Sequence, residues 1–365
     1  MVGRAMAIDL AAEANIQVTS ADRDASALTR LEPFGIQTEQ ADLSDAAVIT
    51  SLVKDCDLVI GAVPGFMGFE MTRTVIEAGV NLVDISFYDE DPFELDALAK
   101  EKGVTVVMDI GVAPGMDNIL LAHHAQTMNV QRFECLVGGL PKVRRWPYEY
   151  KAPFSPIDVL EEYTRPARIV VDGKTVVRPA LSEPELLDFE GVGTLEAFNS
   201  DGLRSLVHTM DIPNMIERTL RYPGHIEKMR MLRETGFFSK EPVNVGGVEI
   251  RPLDLTTKLL FPHWKLGDEE AEFTVMRIII EGEEQGTAKT YTYDLLDRYD
   301  PESKTSSMAR TTGYTCTGAA RLVMDGRYSH AGVSPPEFLG RDASNVDFML
   351  KHLQARGVNY RKREE

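Results

Sequence analysis

Cysteine is scarce: Cys56, Cys135 and Cys316 are the only three in 365 residues, far apart and without C-x-x-C spacing. That argues against a disulfide framework or a structural zinc site and fits a reducing, cytoplasmic compartment. Basic charge is in deficit, with 39 Lys and Arg against 57 Asp and Glu and a net charge of −18. Nucleic acid and anionic membrane surfaces are therefore poor partners. No apolar run approaches the length of a membrane span, and the first residues lack a basic-then-apolar leader pattern. No G-x-S-x-G elbow, no Ser-His-Asp order and no G-x-x-x-x-G-K-S/T phosphate loop occurs, which removes support for hydrolase and NTPase readings. The adjacent His123 and His124 have no i,i+4 histidine or carboxylate partners, so no metal is expected.

What is present has the length of two domains and the composition of a globular protein, 43% hydrophobic and 26% charged. The chain opens on Val2-Gly3-Arg4-Ala5-Met6-Ala7-Ile8-Asp9-Leu10-Ala11, which reads as the helix after a G-x-G-x-x-G turn with Gly3 as its third glycine. A strand-like run, Ile16–Thr19, then leads to Asp22, placed where an acid bonds the adenosine ribose of a dinucleotide. The first strand and first two glycines of that motif are not seen. The expectation is that the functional product starts upstream of Met1 and that this chain is an N-terminal truncation. An ordinary helix and strand, with Asp22 capping the next helix, is the alternative.

Strand candidates at Ile36–Gln40, Leu58–Val63, Val80–Ile85 and Val104–Asp109 alternate with helical patterns at Ala25–Leu31, Asp45–Lys54, Phe69–Ala78 and Phe93–Lys102. Near-continuous apolar strands in β-α alternation predict a doubly wound parallel sheet of Rossmann type, here without its first strand. Ligands bind outside the carboxyl ends of such strands. The residues there are Asp22, Asp42, Val63-Pro64, Ser86 and Gly111-Val112. With Gly3 and without Ser86, these form the expected nucleotide site. Asp22 favours NAD over NADP, because its carboxylate would repel a 2′-phosphate, although Arg23 beside it could accommodate one.

After Asp117 the pattern changes. A helix at Asn118–Thr127, a strand at Phe133–Val137, a hairpin turning at Asp172-Gly173, a long pair at Glu272–Glu281 and Thr287–Leu296, and helices at Ile226–Thr235 and Leu253–Leu260 predict a second α/β domain with a mixed sheet. The small-residue run Ser307–Asp325 predicts a long helix packed closely on the first domain, and Arg356–Glu365 a frayed end. The expected division is 1–117 for the dinucleotide, 118–306 for substrate and dimerisation, 307–345 returning to the first domain, and 346–365 as a tail. Asp117, early in a helix after Pro114-Gly115, is either a carboxylate favoured by the macrodipole or an acid that holds an amino group near the nicotinamide. The loop Gly138–Trp146, with Gly139 and three cations, and Arg204, Arg218 and Arg221 are candidates for holding a carboxylate, or else solvated charges.

The stretches V-G-R-A-M-A-I-D-L-A (2–11), V-A-P-G-M-D-N (112–118), V-G-G-L-P (137–141), R-T-L-R-Y-P-G-H (218–225) and G-V-S-P-P-E (332–337) together resemble the saccharopine dehydrogenase family. Residues 84–100 and 308–322 look most like its lysine 6-dehydrogenases. The resemblance implies hydride transfer between a nicotinamide and the carbon bearing the amine of a lysine-like amino acid, by a homodimer or higher homo-oligomer. It puts Asp117 and Ser86 beside substrate. Three departures, Phe87, Asn118 and Val137, each lose a polar group there and favour a smaller amine than saccharopine. Oxidative deamination of L-lysine at the ε-carbon is the leading expectation. Saccharopine dehydrogenation and a non-catalytic nucleotide-binding protein are the alternatives.

Overall fold

Apolar β-branched runs separated by helical patterns fold, in the first part of the chain, into short parallel strands covered by helices. The computed structural model describes residues 2–267 and 269–365. The elements run α1 (Val2–Ala11), β1 (Thr19–Asp22), α2 (Ala25–Thr29), β2 (Gln37–Gln40), α3 (Ala46–Val53), β3 (Leu58–Gly61), α4 (Gly65–Glu77), β4 (Asn81–Asp84), α5 (Asp96–Lys102), β5 (Thr105–Val107) and α6 (Met116–His124). Asp24 and Asp45 start α2 and α3 by accepting the Ser26 and Ala47 amides, and glycine in the left-handed region ends α5 at Gly103.

The parallel strands form two separate pieces. β1 pairs with β2, while β3, β4, β5 and the late segment Gly332–Ser334 form a second sheet in that order. Among the described residues nothing pairs with the outer edges of β1 and β3. Thr105–Val107 is buried throughout, whereas Leu58, Val59 and Ile60 at the open edge are only half-buried. Val75, Ile76, Leu82, Leu95, Ala99 and Val106 make the core beneath the second piece, each large aliphatic side chain contributing about 1.5–3 kcal/mol.

The middle of the chain is dominated by one sheet. Its elements are β6 (Met128–Pro141), α7 (Pro156–Thr164), β7 (Ala167–Val171), β8 (Lys174–Arg178), β9 (Glu185–Phe189), β10 (Gly193–Asn199), α8 (Leu206–Thr209), β11 (Asn214–Arg221), α9 (His225–Thr235), β12 (Val243–Val245), β13 (Val248–Ile250), α10 (Pro252–Trp264), β14 (Glu272–Glu284) and β15 (Thr287–Arg298). Then come α11 (Ser307–Met324), β16 (Gly332–Ser334), α12 (Pro336–Gly340), α13 (Ala343–Ala355) and β17 (Tyr360–Glu364). The large sheet runs β17-β15-β14-β6-β11-β10-β9, with β7 attached to β11 and β8 to β7. Among the described residues only β6 and β11 are parallel neighbours in it, so the sheet is mixed. Tyr163, Phe198, Leu220, Met229, Leu260 and Trp264 pack α7, α9 and α10 onto one of its faces.

The chain divides into two compact units, Met1–Gln126 with Ala309–Asn359, and Thr127–Met308 with Tyr360–Glu365. Within the first, the small residues of α11 admit α1: a Cβ on Gly313 would lie 3.1 Å from Met6. Asp9 fastens the contact, taking hydrogen bonds from Arg321 at 2.8 Å, Thr317 at 2.6 Å and Arg356 at 2.5 Å. Two expectations need correction. The stretch Arg356–Glu365 is not a frayed end, because β17 within it pairs with β15. Gly138–Pro141 is not a loop, because β6 runs on through it. Strands β9, β10 and β11 were not foreseen.

Candidate functional site

The nucleotide-end candidates gather within the first unit. Gly3 lies in the first turn of α1, where a Cβ would meet Ala62 at 3.7 Å, so helix and strand end are close. Asp22 ends β1 with an exposed carboxylate that accepts the Asp24 amide at 2.9 Å. Asp42 follows β2 and accepts both the amide and the hydroxyl of Ser44, which hold its carboxyl below the usual range. Arg23 contributes its charge to the same effect, so acid and base meet at adjacent strand ends. Val63 and Pro64, half-buried, follow β3, and beyond them Phe66 is an uncovered aromatic. The start of α1 thus lies by the end of β3, and the exposed Asp22 carboxylate stands at the end of β1.

Behind the strand ends lies a buried polar group. Asp84 Oδ1 accepts the Ser86 amide at 3.0 Å and the Ser86 hydroxyl at 2.8 Å, and that hydroxyl also lies 3.0 Å from the Val63 carbonyl. Gly61 is what leaves room, since a Cβ there would fall 2.2 Å from Asp84 Oδ1. Burial pushes the Asp84 carboxyl up to about 7; the Ser86 hydrogen bonds oppose this and the Asp109 charge adds to it. Burial and Asp84 together push the Cys316 thiol up. Ser86 is itself buried.

Asp117 is buried in the first turn of α6. The approach is shaped by Gly115, whose φ of 140° no residue with a side chain would readily hold. A Cβ there would strike the Gly111 carbonyl at 2.0 Å. The Gly111 amide donates to the Pro114 carbonyl at 2.9 Å, closing the turn that carries Gly111 and Val112. Asn118 accepts the Gly115 amide at 3.2 Å and donates to Glu337 at 2.9 Å, so it braces the turn beneath Asp117. Ser86, Val63, Gly111, Val112 and Asp117 thus share the carboxyl ends of β3, β4 and β5.

The remaining candidates belong to the second unit and do not form one group. Gly139 lies inside β6 and is buried. Arg221 is buried and engaged: it pairs with Glu162 and donates to the Leu220 carbonyl at 2.9 Å and to the Tyr163 hydroxyl at 3.0 Å. Because arginine only donates, Tyr163 accepts from it and donates to His225 Nε2 at 3.0 Å, while His225 Nδ1 donates to the Tyr148 carbonyl at 2.8 Å. The imidazole is thereby fixed neutral; burial and then the Arg221 charge hold its pKa down at about 3. Arg221 is therefore a strut of this core, a weaker candidate for substrate than the sequence suggests. Arg204, buried with φ 48°, lies in a different cluster. There burial and the charges of Arg204 and Arg168 lower the Arg165 pKa to about 10, and Arg168 grips Asp201 through two 2.8 Å bonds. Arg218 bonds Glu185 at 2.6 Å. A cavity of about 200 Å³ in this unit is lined by Arg145, Trp146, Tyr148, Tyr150, Lys151 and His263 among others.

The family model described as the saccharopine dehydrogenase NADP binding domain matches residues 1–107, and that described as the saccharopine dehydrogenase C-terminal domain matches residues 111–358. The chain belongs to the saccharopine dehydrogenase family. Similar relatives include the saccharopine dehydrogenase (NADP(+), L-glutamate-forming) of Pyricularia oryzae, 28% identical over 251 residues, 64% of this chain and 55% of that protein. The mitochondrial alpha-aminoadipic semialdehyde synthase of Mus musculus is 27% identical over 226 residues, 57% of this chain and 24% of that protein. These matches span about half and a quarter of the two relatives' lengths. The apo saccharopine dehydrogenase (L-Glu forming) of Saccharomyces cerevisiae shares the fold, with a TM-score of 0.80 at 22% identity, covering 100% of this chain and 98% of that one. Asp84, Gly61 and the Arg165–Arg168 pair were not among the site candidates read from the sequence. An acid closing an otherwise apolar, doubly covered strand was the available signal for Asp84.

Proposed function

We propose that this family member is a pyridine-nucleotide-dependent amine dehydrogenase that oxidises L-lysine at the ε-carbon. The observation that carries the reading is Asp117, a carboxylate held in the first turn of α6 at the strand ends where a dinucleotide of this fold binds. Bound nucleotide would supply the hydride acceptor, C4 of its nicotinamide. The chain's part begins with the ammonium group, which must lose a proton before its carbon can give up hydride; Asp117 orients the amine and receives or relays that proton. Loss of hydride leaves an iminium ion, and water converts it to the semialdehyde and ammonium.

Saccharopine, the same amine carrying two further carboxylates, is the second reading. The names of the relatives favour it, and they also speak for NADP where Asp22 speaks for NAD. The direct test is Asp117→Asn, assayed with lysine and with saccharopine against both nucleotides. Turnover should fall at least about 10-fold, roughly 1.4 kcal/mol in barrier, at unchanged melting temperature. Full activity in the variant would sink the role of Asp117. Nucleotide binding without turnover of either amine by the parent protein would leave a binding protein instead.

A further inference from the structure

The reaction proposed above leaves the buried pair Asp84 and Ser86 without a task. Asp84 is fully buried and Ser86 nearly so, and the chain makes room for both. A Cβ on Gly61 would fall 2.2 Å from Asp84 Oδ1, and one on Gly68, in α4, would fall 2.8 Å from the Ser86 Cβ. Among the described residues no cation pairs with Asp84; its hydrogen bonds come from the Ser86 amide and hydroxyl. Of the elements packed around it, β3 brings Gly61 and α4 the Thr72 hydroxyl, while the end of β5 brings the Asp109 charge and α11 the Cys316 thiol. None of these is positive. An asparagine of the same shape would fill the space without burying an acid. A carboxyl kept where its ionisation destabilises the fold points to a use for its proton.

The Ser86 hydroxyl has an acceptor on either side, Asp84 Oδ1 at 2.8 Å and the Val63 carbonyl at 3.0 Å. With Asp84 ionised, the hydroxyl donates to the carboxylate. With Asp84 neutral, the carboxyl O–H donates to Ser86 Oγ, and Ser86 turns its own proton to Val63. Both oxygens keep a partner in either state, so a proton can be held or given up without moving a heavy atom. Burial raises the Asp84 carboxyl to about 7, opposed by the Ser86 hydrogen bonds and aided by the Asp109 charge, and a base of that strength suits work near neutral pH. A carboxylate at its ordinary pKa would hold a proton taken from an ammonium group about 10³-fold less well.

We propose that Asp84 takes up, through the Ser86 hydroxyl, the proton that the substrate amine loses before hydride transfer. One N–H bond of the ammonium breaks and its proton joins Ser86 Oγ, while the Ser86 O–H bond breaks and that proton joins Asp84 Oδ1. Nothing is oxidised or reduced in this step: ammonium becomes amine, Asp84 becomes neutral and Ser86 is unchanged. Ser86 touches the amine, Asp117 orients it, and Asp84 acts through Ser86. The proton leaves by the same route once the product has gone. The inference rests on the amine-dehydrogenase reading and deepens it.

Infrared spectroscopy and a pH profile on the full chain test it together. Spectra of the nucleotide-free protein should show the carbonyl band of a neutral carboxylic acid that disappears as pH rises through about 7. Asp84→Asn should lack the band. Ser86→Ala should keep it with its midpoint moved to higher pH, since the ionised form loses a donor. In turnover of lysine or saccharopine, kcat of the parent should rise with pH through the same midpoint, because Asp84 must be ionised to accept. Asp84→Asn and Ser86→Ala should each lower kcat about 10²-fold or more and flatten that limb, with KM nearly unchanged. A merely structural pair would lose stability and keep the limb. Should Asp84→Asn fail to fold, Ser86→Ala decides. Absence of a band that titrates near pH 7, or a Ser86→Ala limb and kcat equal to the parent's, would overturn the proposal. Turnover of neither amine by a parent that shows the band would overturn the proposed reaction, and the proton transfer with it.

Discussion

Replacing Asp84 by Asn isolates the free energy stored in one buried carboxyl. Asparagine keeps the shape and keeps an oxygen to accept the Ser86 amide and hydroxyl, which lie 3.0 and 2.8 Å from Asp84 Oδ1. Only the ability to ionise is lost. In the folded chain burial raises the Asp84 pKa to about 7, whereas unfolded it titrates near 3.9. Below about pH 4 the residue is neutral in both states and its titration costs nothing. Between about pH 4 and 7 only the unfolded chain sheds the proton, so the parent loses stability at up to about 1.4 kcal/mol per pH unit from this group. Above pH 7 both states are ionised and the slope vanishes. A separation of about 3 units amounts to roughly 4 kcal/mol, a large share of the 5–15 kcal/mol that holds a typical domain together. Urea unfolding of parent and Asp84→Asn between pH 5 and 8.5 reads the effect as a difference, in which the other carboxylates cancel. The variant should gain on the parent by about 2.7 kcal/mol between the two ends of that range, since about 1.5 of the roughly 4 kcal/mol is already lost at pH 5. A difference that stays flat with pH would refute a neutral, buried Asp84.

Asp22→Ser should shift the preference between nucleotides toward NADP by roughly 10-fold, because a carboxylate about 4 Å from a phosphate costs on the order of 1 kcal/mol per unit charge even in water. A parent that already prefers NADP in kcat/KM would overturn the role given to Asp22. Tyr163→Phe removes the hydroxyl that links Arg221 to His225 at 3.0 Å on each side. Two buried groups lose a partner, so stability should fall by about 2–4 kcal/mol. A loss under about 0.5 kcal/mol in urea would show that the chain of hydrogen bonds does not hold this core together.

The parallel strands were legible because helices cover both their faces, leaving runs such as Leu58-Val59-Ile60 and Val106-Val107-Met108 without polar interruption. The hairpin β7–β8 was legible from its turn, where Asp172 and Gly173 both take positive φ. β9 and β11 escaped for the opposite reason. Glu217, Arg218 and Arg221 lie within β11 and are buried, so the apolar alternation of a strand is broken by charges that are satisfied only in three dimensions, Arg218 by Glu185 and Arg221 by Glu162. β17, Tyr360-Arg361-Lys362-Arg363-Glu364, has the composition of a loose end and the structure of an edge strand, its arginines meeting Asp294 and Glu190. Charged edge strands guard against unwanted pairing. At the site, residues at strand ends could be placed from spacing alone. Whether an arginine was a core strut or a ligand depended on partners dozens of residues away, as with Glu162 for Arg221.

The central claim is that this chain removes hydride from the amine-bearing carbon of lysine. L-lysine carrying two deuterium atoms at the ε-carbon, incubated with the protein and oxidised nucleotide, tests it most directly. Mass spectrometry should find one deuterium on the reduced nicotinamide for each semialdehyde formed, and Asp117→Asn should slow its appearance without changing its destination. Unlabelled nucleotide, or transfer of deuterium only when the labelled lysine carbon is supplied within saccharopine, would contradict the claim.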